Sequence, residues 1–484
     1  MTCDPRFDQR ELLSDAAERA TRYLAHLAER PVPPCPAAVD SLRAWADRPL
    51  PEAPASPRDV LADLDDAVAP ATMASPGPRF FGWVHGGSLP ATVAASWLAA
   101  TWDQNAFAYQ SSPGAVLVEE LALAWLREAL GLPAAVAGTF ATGATAANFA
   151  ALAAARHRVL ARVGHDVERN GLFGAPAVTV ATSAESHPTV RKALGLLGLG
   201  RDRVVALPVD EQGRIDAARL PDLPGPLIVC AQAGNVNTGA CDPFDALRDW
   251  ADERGAWLHV DGAFGLWAQA SPRLRHLTAG VERADSWATD GHKWLNVPYD
   301  CGIAFVRDEA ALRRAMAFDA AYLPGGPVDG SAAEDRPGPQ REPFHYGLET
   351  SRRARGLEVY AALRSLGRSG LAEMIERGCA QARRFAEGLR AAGFEVLNEV
   401  ALNQVVVSFG DGRRTADVIE RIQQAGVCWC GPTHWRGRDA MRISVSCWAT
   451  TDADVERSLE SILACARAAR GGAAEQPGRV AMAG

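Results

Sequence analysis

Apolar positions recur at helical spacing over residues 8–30 (Leu12, Leu13, Ala16, Ala20, Tyr23, Leu24, Leu27), with charges between them, and predict an amphipathic helix. The stiff connector Pro31-Val32-Pro33-Pro34-Cys35-Pro36 follows. Further helices are expected near 37–47 and from Pro57 to Ala69, separated by more proline. Helices hinged on proline do not close a core, so residues 1–75 read as an arm that packs on something else, a second subunit included. Apolar residues on one face predict another helix from Pro113 to Leu130, stopped by Gly131 and Pro133.

The pattern then changes. Short apolar runs without polar alternation, at 177–181, 204–207, 227–231, 257–260 and 303–306, are separated by helical stretches. Such strands are covered on both faces, which predicts a mostly parallel sheet in an α/β fold with ligands at the carboxyl ends of the strands. This large domain spans 76–392 and closes with helices at 352–366 and 371–391. A smaller α+β unit follows at 393–470, with strands at 394–397, 404–409 and 441–446. The Gly/Ala-rich 471–484 reads as a disordered tail, and the Gly/Pro-rich 324–345 as a mobile loop.

Composition narrows the partners. Hydrophobic residues at 48% and charged residues at 22% suit a globular chain. A net charge of −8 argues against nucleic acid or an anionic membrane surface as the main partner. No apolar run reaches the ~18 residues of a membrane span, and Met1–Arg6 lacks a signal-peptide pattern. Ten scattered cysteines without Cys-x-x-Cys suggest reduced thiols and a cytoplasmic location. No His/Cys/Asp cluster stands at metal-ligand spacing.

Four motifs carry candidate chemistry. In Asp290-Gly291-His292-Lys293-Trp294 a strand runs into a loop presenting one lysine, with Trp294, Leu295 and Val297 after it. A lysine facing an apolar wall is desolvated, favouring the neutral amine that forms Schiff bases with carbonyls or pyridoxal phosphate (PLP). Gly143-Ala144-Thr145 opens a helix whose N–H groups could hold an anion. His187 follows a strand and could stack on a flat ring. Asp261, directly after an apolar strand, could keep a pyridine nitrogen protonated. The stretch 75–90 is rich in aromatics and glycine; its Phe80, Phe81, Trp83 and His85 are candidates for a pocket wall that binds an aromatic or apolar substrate side chain.

Taken in order, Gly143-Ala144-Thr145…Asn148, His187, Asp261-Gly262-Ala263 and Asp290-Gly291-His292-Lys293-Trp294 resemble the group II PLP-dependent amino-acid decarboxylases, over about Phe80 to Trp448. The resemblance implies a PLP fold-type I homodimer with shared active sites. Lys293 would bind PLP covalently, Asp261 pair its ring nitrogen, His187 stack on the ring, and Ala144 and Thr145 hold the phosphate, with Ala263 and His292 beside them. Tyr322, in Tyr322-Leu323, would protonate Cα after CO2 leaves, with Tyr346 as its rival. Arg352 and Arg353 match a family Ser-Arg-Arg motif and are expected to be structural. Trp429, His434 and Trp435 could approach the site. The family's Asp-Ala-Ala is Asp261-Gly262-Ala263 here, which suggests extra room above the strand end. The alternative on the same residues is oxidative decarboxylation-deamination to an aldehyde, or another PLP lyase reaction such as a carbon–carbon lyase.

Overall fold

The computed structural model describes residues 9–318 and 341–471. Its centre is a seven-stranded sheet: β1 Ala137–Ala141, β2 Thr179–Ser183, β3 Val205–Leu207, β4 Leu227–Gln232, β5 Trp257–Asp261, β6 Ser286–Asp290 and β7 Gly302–Val306. The strand order is β1-β7-β6-β5-β4-β2-β3. Strands β3, β2, β4, β5 and β6 are mutually parallel, and β7 alone runs against its neighbours. The carboxyl ends of β1, β2, β4, β5 and β6 therefore share one edge. Strands β1, β4, β5, β6 and β7 are buried at every position, covered on both faces.

The helix Ala144–Ala161 lies against this sheet. Its buried face is mostly alanine (Ala147, Ala150, Ala151, Ala154, Ala155), so its backbone comes close to the strands. That brings its N-terminus to the carboxyl edge. The two helices expected at 352–391 form Gly356–Ala391, broken where Gly367 takes φ +59°. The run Pro90–Trp102, too short for a membrane span, is a helix, and no helix among the described residues is long and apolar enough to cross a membrane.

The small unit is a four-stranded antiparallel sheet of β8 Glu395–Val396, β9 Gln404–Ser408, β10 Gly431–Trp435 and β11 Arg438–Ser444, in the order β10-β11-β9-β8. Its core joins Val405, Val407, Met441 and Ile443 to helices Gly412–Ala425 and Asp452–Gly471. Strand β10 escaped the sequence reading because Gly431-Pro432-Thr433-His434 lacks an apolar alternation. The N-terminal helices Gln9–His26, Pro36–Ala46 and Pro57–Val68 bury no residue within the chain. Nine described cysteines are free thiols.

Candidate active site

A cavity of about 450 Å³ opens at the carboxyl edge of the large sheet. It gathers residues from the ends of β1, β4, β5 and β6, the loop after β2, the loop at 83–85, and β11 of the small unit. A second hollow, about 590 Å³, lies near Asp210, Asp242 and His276. Its carboxylates are already engaged: Asp242, for example, accepts N–H bonds from Ile215 (2.8 Å) and Gln232 (2.7 Å). No lysine lines it.

The first cavity has a polar floor. Asp261 ends β5, beside β6, with Asp261 opposite Ala288. It is 8% exposed. Among the described residues its carboxylate accepts one hydrogen bond, from the Ala263 N–H (3.2 Å). Burial pushes its pKa up, with His187 and Lys293 opposing. A buried carboxylate without a directly bonded cation calls for a positive partner in the cavity. Asp290 ends β6 and is 2% exposed. One of its oxygens takes the Ala144 N–H (2.6 Å), and the other lies 3.1 Å from Lys293 Nζ. The start of helix Ala144–Ala161 thus already faces an anion.

Lys293 does not face the expected apolar wall. Trp294, Leu295 and Val297 are buried in the hydrophobic core, while Lys293 meets Asp290 and keeps 23% of its side chain exposed. The loop at 82–88 is pressed onto it: a Cβ on Gly86 would stand 1.8 Å from the Lys293 carbonyl oxygen, so only glycine fits.

His292 Nδ1 accepts the Cys301 N–H (3.0 Å), so the neutral ring carries its proton on Nε2. Burial holds its pKa below the usual histidine value. His187 lines the cavity and caps the helix Pro188–Leu196, its Nδ1 2.7 Å from Thr189 Oγ1. Desolvation lowers its pKa and Asp261 opposes the shift. Ala144, Thr145 and Ala263 also line the cavity.

The wall is aromatic. Trp83 and His85 line the cavity together with Tyr299. Trp83 stacks on Trp429 (4.9 Å, 22°), His85 stacks against both Trp83 and Phe80 (5.4 Å each), and Tyr299 sits 4.5 Å from His292. Two expected wall residues lie behind it. Phe80 is buried as a support for Trp429 (5.2 Å, 13°), and Phe81 turns into the small-unit core against Phe385. Arg442, on β11, completes the wall. It donates to the Val236 carbonyl (2.8 Å), and burial pushes its pKa down to about 10.

Other candidates lie elsewhere. Tyr346 is buried, bonded to Glu309 (2.5 Å) and away from the cavity. Arg352 pairs with buried Glu119 (2.7 Å) and Arg353 with Glu358, consistent with structural work. His434 faces Asp439 on the outer hairpin (2.8 Å). Gly262 leaves no extra room: a Cβ there would stand 2.6 Å from Leu266 Cβ. Tyr322 lies outside the described residues. Sequence reasoning missed Tyr299 and Arg442, and quoted Asp290 without giving it a role.

This constellation can be set beside known proteins. Residues 40–409 match the pyridoxal-dependent decarboxylase conserved domain. The chain belongs to this family. Tryptophan decarboxylase 1 of Oryza sativa subsp. japonica is 30% identical over 427 residues, 81% of this chain and 80% of that one. L-2,4-diaminobutyrate decarboxylase of Rhizobium meliloti (strain 1021) is 31% identical over 402 residues, 78% and 76% of the two chains. A crystal structure of Oryza sativa TDC with PLP and tryptamine superposes with TM-score 0.85 at 25% identity, covering 97% and 99%. The protein is a PLP-dependent amino-acid decarboxylase of fold-type I. Its cavity fits the cofactor: an under-compensated buried carboxylate, Asp261, for a ring nitrogen, the Lys293 amine on the same lining for a Schiff base, and Thr145 beside them at the helix start.

Proposed function

We propose that this decarboxylase acts on an L-amino acid with an aromatic or extended apolar side chain. The observation that carries the reading is the wall of Trp83, backed by Trp429 and Phe80, with His85 and Tyr299 beside it. A flat apolar group buries area against such rings and gains stacking of about 0.5–1.5 kcal/mol per pair. The described lining holds one lysine and one arginine, Lys293 and Arg442, and on this reading both have other work. A side-chain carboxylate would find no third.

Lys293 would hold PLP covalently, Ala144 and Thr145 its phosphate, Asp261 its ring nitrogen, and His187, Ala263 and His292 its surroundings. Bound PLP supplies a protonated ring that accepts the electron pair left when the carboxylate departs as CO2. Asp290 holds the Lys293 nitrogen (3.1 Å) and ties it to the helix start through the Ala144 N–H. Arg442, fixed by the Val236 carbonyl, orients the substrate carboxylate. Tyr322 is our proton donor to the carbon that loses CO2; Tyr346 is committed to Glu309.

We also propose a homodimer in a reducing cytoplasm. The arm helices bury nothing in their own chain, and Leu13, Leu24, Trp97 and Trp102 stand exposed. Sedimentation at the mass of one chain would overturn the dimer.

The test is a screen of amino acids for CO2 release, with products identified under oxygen and under argon. The highest kcat/KM is expected for an aromatic or long apolar amino acid, with amine as product in both gases. Preference for an acidic amino acid or diaminobutyrate would refute the substrate reading. Aldehyde formation with oxygen uptake would establish the oxidative reaction instead.

A further inference from the structure

We propose that Glu185 is a positioning residue that locks the β10–β11 hairpin of the small unit over the pocket and so sets the place of Arg442. The inference rests on reading this cavity as the substrate site. Glu185 sits two residues before His187, in the turn after β2, where its N–H donates to Ser183 Oγ (3.1 Å). Its carboxylate gathers three donors from two regions. One oxygen accepts Trp435 Nε1–H (2.8 Å) and Asn235 Nδ2–H (3.2 Å), and the other faces Arg436 Nε (3.4 Å). Asn235 belongs to the large-sheet loop after β4, between Gly234 and Val236 of the pocket lining. Trp435 and Arg436 form the hairpin tip.

The tip itself points to a purpose. Trp435 pairs with Arg438, leaving Arg436 and Gly437 as a two-residue turn with φ +52° and +72°. Such turns favour asparagine or aspartate before glycine, because other side chains resist positive φ. Arginine here is a poor local choice. It is explained by reach: the guanidinium lies over the Trp435 ring (5.6 Å), faces Glu185, and donates to the Asp210 carbonyl. Local strain kept for a distant contact suggests a functional constraint.

The hairpin's other end carries Arg442, paired with Gly431 across the strands and donating to the carbonyl of Val236, the residue after Asn235. Two adjacent loop residues are thus tied to the two ends of one hairpin, the first through Glu185. Pairing with Val406 of β9 fixes the register of Arg442 within the small sheet, and Thr433 Oγ1 adds a bond to Asn237 Oδ1 (2.7 Å). The tip contact holds the hairpin against the large-domain loop, so freeing the tip lets Arg442 shift relative to the pocket while it keeps its place in the sheet.

The test uses the PLP-loaded full chain. Glu185→Ala should raise KM for the substrate roughly tenfold, as expected for losing hydrogen bonds to a charged group. The kcat and the PLP content should stay within about twofold of wild type. Glu185→Gln, which keeps an acceptor for Trp435 and Asn235, should recover most of the loss. Amide hydrogen exchange over 431–444, measured without substrate, should speed up in Glu185→Ala. Arg436→Asn supplies the turn's preferred residue and should raise Tm while also raising KM, an opposition that a purely structural residue would not produce. Unchanged KM and exchange in Glu185→Ala would overturn the proposal, as would kcat and PLP content falling together with substrate affinity. The KM comparison runs on whichever amino acid the wild type decarboxylates, and hydrogen exchange needs none, so a wrong aromatic reading would leave the test intact.

Discussion

The floor and the wall of the pocket are built differently. On the floor, Asp261 and Asp290 end neighbouring buried strands, and their carboxylates are held by backbone N–H groups from Ala263 and Ala144. His292 is fixed by the Cys301 N–H. On the wall, Trp83 is 55% exposed and sits in the left-handed region at φ +46°. Its ring is held by stacking on Trp429. The two buried carboxylates stand on rigid strand ends inside the large domain. The rings of the wall, which we propose meet the substrate side chain, stand on a loop and on a separate unit, where they can vary without disturbing the sheet.

The comparison can be broken most directly at the floor. Lys293→Ala and Asp261→Asn should each lower kcat by roughly two to three orders of magnitude or more, and Lys293→Ala should lose the borohydride-sensitive absorbance of bound PLP. Asp261→Asn with near-normal kcat would mean that the buried carboxylate does not serve the reaction. At the wall the change should be smaller and of another kind. Trp83→Ala should raise KM for the preferred substrate about tenfold, with kcat within about threefold and Tm nearly unchanged, because binding is lost without loss of core. A large Tm loss would place Trp83 in the scaffold instead.

The smallest effect lies beneath the floor. His259 is fully buried, with Nδ1 2.9 Å from Ser286 Oγ and Nε2 2.8 Å from Asn148 Oδ1. Asn148 Oδ1 can only accept, so Nε2 carries the proton of the neutral ring and Nδ1 accepts from the Ser286 hydroxyl, whose oxygen also takes the Trp257 Nε1–H. Burial pushes the His259 pKa down to about 3, from 6.5. A depressed pKa means that its contribution is present above pH 6.5 and lost as pH falls toward 3. Thermal melts should show stability declining across that window. His259→Gln should flatten the decline while lowering stability at neutral pH by about 1–3 kcal/mol. An unchanged acid slope in the variant would assign the decline to other groups.

Much of this was legible along the chain. Several strands of the large sheet are apolar runs because both faces are covered, and Asp261 directly follows one; the Asp290–Lys293 loop was legible as a motif at the end of a strand. Reading strand ends therefore led to the floor. The wall was half legible: Trp83 and His85 line it, but Phe80 and Phe81 turn inward. Nothing in an aromatic-rich loop says which ring faces solvent. Lys293 was found for the wrong surroundings, since Trp294, Leu295 and Val297 point into the core and a carboxylate faces the amine.

The sequence by itself determined the order of the elements, the family motifs and the floor residues, because strand periodicity and motif spacing are local properties. Tertiary structure decided which distant residues meet. Arg442 reaches a carbonyl 206 residues away, and Trp435 reaches a carboxylate 250 residues away. It also decided that Gly262 is tight against Leu266 rather than roomy. These depend on how the small unit docks on the loops of the large sheet and on how side chains fill the space between elements. Neither leaves a periodic trace in the chain.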